Sequence, residues 1–102
     1  MKQKGKKGLE ELKETLKENE AILKEKFKVK EIGIFGSYVR SEQKKSSDLD
    51  ILVEFEAPIS LFEFMDLEEH LKKILGIKVD LVSKKALKPR IGKHILEEVI
   101  YI

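Results

Sequence analysis

Cysteine is absent from the 102 residues, so disulfide staples and thiolate metal sites are excluded. Tryptophan is also absent and proline occurs only twice, too rarely for a proline-rich linker or recognition segment. Asparagine appears once and glutamine twice. No apolar run approaches the length of a membrane span. The opening MKQKGKKG is basic but lacks the apolar stretch of an export signal, and the expected location is the cytoplasm. One-sided charge is missing too, since the formal net charge is only +2. The molecule as a whole is therefore not built to attract polyanions.

What is present is charge of both signs. Charged residues make up 39% of the chain and hydrophobic residues 41%, enough for one globular domain and too many for disorder. The Lys–Glu richness, with few labile side chains, resembles proteins from hot environments. Residues 1–8 read as a flexible basic tail and 9–102 as a single domain. A second basic cluster, Lys84, Lys85, Lys88, Arg90 and Lys93, contains no acid. It reads first as solvated surface and second as a face for an acidic partner or for RNA.

Hydrophobic spacing sets the element order. Leu9, Leu12, Leu16, Leu23 and Phe27 fall near a 3.6-residue period and predict a helix. Val29–Phe35 predicts a strand ended by Gly36-Ser37. Ser37 is a candidate N-cap for a short helix over Tyr38–Glu42. Leu49, Ile51, Val53 and Phe55 alternate with Asp48, Asp50, Leu52 and Glu54, the mark of a strand with two unlike faces. Ser60 and Glu63 form a capping-box pattern ahead of a helix that Gly76 stops. Phe62, Phe64 and Met65 in that helix have spacings that suit core packing. Ile77–Ser83 predicts a third strand. Pro89 opens a last helix with an apolar face of Ile91, Ile95, Leu96, Val99 and Ile100. The fold class is α/β (α+β), a small mixed sheet of about three strands flanked by helices. The helical crossover makes the second and third strands parallel. If the first two strands are antiparallel neighbours, Gly36-Ser37 and Asp48 meet at one end of the sheet.

The chemistry concentrates in GSYVRSEQKKSSDLD. Asp48 and Asp50 are two residues apart on a strand, so both point to one face. Two carboxylates about 6 Å apart repel by roughly 3 kcal/mol at an effective dielectric near 20. A divalent cation removes that cost, and an all-oxygen ligand set suits Mg²⁺ or Mn²⁺. Asp80, on the next strand, adds a third ligand or a base. Gly36 admits close backbone approach to a phosphate, Ser37 adds a hydroxyl donor, and Arg40 faces the same anion or pairs with the carboxylates. Acids for a metal beside donors for a triphosphate describe nucleotidyl transfer, with in-line attack at the α-phosphorus and loss of pyrophosphate.

The stretch GSYVRSEQKKSSDLDILVEF resembles the GS-x10-D-x-D signature of the DNA polymerase β-like nucleotidyltransferases. It looks most like the minimal nucleotidyltransferases, the antitoxin halves of HEPN/MNT toxin–antitoxin pairs, and the likeness runs from Leu9 to the end. Ser41 departs from it, standing where many relatives have glycine. The resemblance implies that Asp48, Asp50 and Asp80 ligate one or two Mg²⁺ ions, with Mn²⁺ able to substitute. It also implies that Gly36 and Ser37 hold the ATP phosphates. The implied reaction is AMP transfer to a tyrosine of a HEPN-type RNase toxin, which neutralises the toxin. Neutralisation by binding alone and nucleotidyl transfer to RNA are the alternatives. His70 reads as a surface or half-buried histidine, His94 as no RNase residue, and Tyr38 as packing.

Overall fold

The computed structural model describes residues 8–102, so the basic tail expected at the start lies, apart from Gly8, outside the described residues. The first helical segment is two helices, α1 (Leu9–Glu18) and α2 (Glu20–Phe27), where the spacing predicts one. Asn19 is the reason for the break. Its side-chain amide donates to the Thr15 carbonyl at 2.8 Å, and its own carbonyl accepts the Leu23 N–H at 3.0 Å. A side chain that competes for backbone partners ends one helix and starts the next. The chain leaves α2 through Lys28, in the left-handed region at φ 59°.

Strand β1 (Val29–Phe35) runs into a single 3₁₀ turn at Gly36–Tyr38, and a loop leads to β2 (Leu49–Phe55). The turn starts at Gly36 and Phe35 flanks it, so Ser37 lies inside the turn and is not its N-cap. Helix α3 (Leu61–Leu75) has the expected capping box at Ser60 and Glu63. It stops at Gly76, φ 71°. Strand β3 (Val79–Ser83), helix α4 (Pro89–Glu98) and a two-residue strand β4 (Ile100–Tyr101) complete the chain.

Among the described residues the sheet has four strands, one more than the three the spacing marks, in the order β3-β2-β1-β4. The extra strand is too short to leave a periodic signal. It pairs antiparallel with β1 through Gly33–Tyr101 and Ile34–Ile100. It can sit so close because a β-carbon at Gly33 would fall 2.7 Å from the Val99 side chain. Strands β1 and β2 are antiparallel, and β2 and β3 are parallel, as the crossover requires.

One face of the sheet carries the core. Ile32, Ile34, Leu49, Ile51, Val53, Val79 and Leu81 pack beneath Leu12, Leu16, Leu23, Leu67, Leu71 and Leu75 of the first three helices. Each such leucine contributes about 2 kcal/mol of transfer free energy. The opposite face carries Gly33, Phe35, Asp50 and Leu52, and α4 lies on this side. That helix is shallowly seated: Gly92 is its only buried residue, and Ile91 and Leu96 are exposed. The apolar face expected for it is thus only partly used, with Ile95 half-buried, while Val99 already leaves the helix and Ile100 belongs to β4. Phe62 and Met65 are also exposed, against expectation, while Phe64 stacks edge-on to Phe55 at 6.2 Å. Among the described residues no helix is long and apolar enough to cross a membrane.

Candidate active site

Gly36 is the pivot. It adopts φ +85°, a conformation that disfavours any side chain, and a β-carbon there would overlap the Asp50 carboxylate. Phe35 pairs with Asp50 across the antiparallel ladder, which is why the turn at the end of β1 lands on the acid at the start of β2. After the turn, Val39 and Arg40 donate to the Gly36 carbonyl at 3.0 and 3.2 Å, and Glu42 donates back to the Ser37 carbonyl at 2.8 Å. That six-to-one closure places Ser41 in the left-handed region, φ 60°. The position is one that glycine fills without strain, so Ser41 adopts it at a conformational cost. Ser37 is half-buried within the turn, and Tyr38 is buried in the core.

Asp50 and Asp80 are direct partners across the parallel β2–β3 ladder, so their side chains share a face. Asp48 immediately precedes β2, exposed to solvent. Asp50 is half-buried, and its pKa is pushed up to about 6. Burial is the main cause, followed by the charges of Asp80 and then Asp48, while Arg40 pulls in the opposite direction. Among the described residues no three acidic or histidine side chains are gathered closely enough to hold a metal ion. The donor set nevertheless suits a hard divalent cation: oxygens only, one of them half-buried and held at an electrostatic cost that a cation would relieve.

An open groove of about 590 Å³ lies beside Asp50, lined also by Phe35, Gly36, Arg40 and one face of α4. That face presents Ile91, His94, Ile95 and Glu98. Glu98 accepts the Gly36 N–H at 2.7 Å and two contacts from Arg40 Nη1 at 2.9 and 3.0 Å. Arg40 Nε donates to Glu42 at 2.9 Å. Arg40 is therefore already paired, although its charge reaches Asp50. Neither His94 nor Glu98 was assigned to the site from the sequence. The usable signal was their helical spacing from Ile91, three and seven residues on, but nothing local says that this face meets Gly36. Glu54 shares Lys84 with Glu31, at 3.6 and 3.9 Å.

A glycine turn set against strand-borne carboxylates, on a mixed sheet backed by helices, defines a nucleotidyltransferase. The chain belongs to the nucleotidyltransferase domain family, whose model matches residues 9–102. Within that family it is a homologue of the protein adenylyltransferases. It is 52% identical over 94 residues to protein adenylyltransferase MntA of Thermococcus cleftensis, covering 92% of this chain and 95% of that one. A Methanocaldococcus jannaschii protein, provisionally named as a protein adenylyltransferase, is 53% identical over 97 residues, covering 94% and 99%. Among solved structures, one provisionally described as a minimal nucleotidyltransferase superposes with a TM-score of 0.71 at 35% identity, over 87% of this chain and 93% of that one. A chain from the complex of a tri-AMPylated Shewanella oneidensis HEPN toxin with an MNT antitoxin superposes with a TM-score of 0.65 at 20% identity. That match covers 88% of this chain and 70% of the other, and at such identity it shows the fold alone.

Proposed function

We propose that this chain transfers AMP from ATP to a tyrosine hydroxyl of a HEPN-type toxin and so acts as the toxin's antitoxin. The observation that carries the reading is the three-way meeting of Gly36, Asp50 and Asp80 at one end of the sheet. In the proposed reaction the acceptor oxygen bonds to the α-phosphorus, the bond from that phosphorus to the bridging oxygen breaks, and pyrophosphate leaves. Asp80, exposed and paired in register with Asp50, would take the hydroxyl proton. Gly36, Ser37 and Arg40 hold the phosphates. Asp48, Asp50 and Asp80 would hold one or two Mg²⁺ ions, with Mn²⁺ able to substitute. When bound, the ion neutralises phosphate charge and polarises the centre under attack. The groove beside Asp50 is open enough to admit a side chain delivered by another protein. Support for a protein acceptor comes from the homologues named adenylyltransferases, and for a toxin from the fold shared with an MNT antitoxin.

The test is transfer of label from α-labelled ATP to the cognate toxin. Asp48→Ala and Asp50→Ala should each reduce transfer by roughly a hundredfold or more. Wild-type transfer by both variants sinks the assignment. A double alanine variant that still protects cells from the toxin points instead to neutralisation by binding.

A further inference from the structure

Glu98 sits where an anion belongs. It lies 62 residues from Gly36 and 58 from Arg40 in sequence, yet its carboxylate takes the Gly36 N–H at 2.7 Å and Arg40 Nη1 at 2.9 and 3.0 Å. A main-chain amide and a guanidinium beside a carboxylate pair form the donor set that grips a phosphate oxygen, and a carboxylate is the side-chain group nearest to phosphate in charge and shape. We propose that Glu98 is an internal occupant of the triphosphate position, and that ATP binds by exchange. Phosphate oxygens take over the Gly36 N–H and Arg40, and the Glu98 side chain turns out to solvent. The proposal rests on the nucleotide-binding reading of Gly36 and Arg40 above.

Three features support exchange over a fixed structural contact. Glu98 lines the same groove as Asp50, so a triphosphate bound with Glu98 still in place would meet a like charge at the very groups that grip it. The Glu98 side chain keeps 25% of its surface in water, so it can leave by rotation while the helix stays put. Glu98 also ends α4, and Val99 immediately after it is held by its N–H bond to the Ile95 carbonyl at 2.9 Å and by packing against Gly33. The backbone is thus anchored independently of the carboxylate. Glu98 accordingly sets nucleotide affinity: it keeps Gly36 and Arg40 satisfied between turnovers and makes each arriving nucleotide compete for them.

The experiment is titration calorimetry of the full chain with Mg-ATP, and separately with sodium tripolyphosphate, for wild type, Glu98→Gln, Glu98→Ala, Arg40→Ala and Arg40→Ala/Glu98→Ala. Removing the competing charge should tighten both ligands about fivefold in each single Glu98 variant. The gain should shrink when Arg40 is absent, because the competition for its guanidinium is then gone and only that for the Gly36 N–H remains. Glu98→Gln keeps an acceptor for the Gly36 N–H, so it stays informative if Glu98→Ala loosens α4. Unchanged or weaker binding in folded Glu98 variants, with wild type binding normally, overturns the exchange alone. Absence of binding in every variant overturns the nucleotide reading as well.

Discussion

Asp50 holds its proton more tightly in the folded protein than a carboxylate in water does, with a pKa of about 6 against the ordinary 3.8. A raised acid pKa stabilises the folded state below the ordinary value, and that contribution is lost as pH rises through 6. The metal-free protein should therefore lose the Asp50 contribution between about pH 4 and pH 6. For a half-exposed group the loss is roughly 1 kcal/mol once solvent screening is allowed for. Asp50→Asn removes the charge but keeps the shape. Thermal melts in chelator should show the variant more stable than wild type at pH 7.5 and equal to it near pH 4, while transfer activity is lost. Equal melting temperatures at pH 7.5 would contradict the burial and repulsion read from the site. His70 behaves differently. Its ring stacks on Phe27 at 4.9 Å, and burial, then Lys26 and Lys73, lower its pKa, which fits a packing role remote from the carboxylates.

At the scale of elements, α3 and α4 contrast. Helix α3 has a complete capping box, with Ser60 N–H donating to Glu63 at 2.7 Å and Glu63 N–H to the Ser60 hydroxyl at 3.1 Å. Leu67, Leu71 and Leu75 bury its inner face. Ser60→Ala should cost about 1 kcal/mol in denaturant unfolding and leave the transfer rate unchanged, since the cap is remote from Asp50. Loss of transfer in a folded Ser60→Ala protein would mean that α3 positions the site more directly than its packing indicates. Helix α4 is held by less, by Gly92 against Leu87 and, at its end, by Val99 against Gly33 and the pairing of β4 with β1. Its exposed Ile91 and Leu96, with Lys88, Arg90 and Lys93 alongside, make it the more adaptable wall of the groove.

Across the whole molecule, charge and proton binding couple the site to the fold. A divalent cation that binds the carboxylates stabilises the folded state by mass action, and it binds the ionised form of Asp50. Mg²⁺ should therefore raise the melting temperature more at pH 7.5 than at pH 5, and by less in Asp50→Asn at either pH. An equal Mg²⁺ effect at both values would place cation binding elsewhere. Apolar surface is also unevenly distributed: Leu61, Phe62 and Met65 are exposed at the start of α3.

The local grammar was legible in the sequence. Alternation over Leu49–Phe55, the Ser60–Glu63 box, the Gly76 stop and the helical crossover each depend on neighbours in the chain, and the structure carries all of them. Gly36, Asp48 and Asp50 were legible for the same reason, as a turn and a strand start with ten residues between Ser37 and Asp48. What only the tertiary structure decided depends on where distant segments land. The partnership of Asp50 with Asp80 follows from strand register, which a spacing of 30 residues does not encode. The single asparagine splitting the first helix, the two-residue β4 and the burial of Leu52 on the second face of the sheet are settled by competition among contacts. Glu98 is the clearest case. In the sequence it is one acid among many on a helix, and only the tertiary packing of α4 sets it against Gly36 and Arg40.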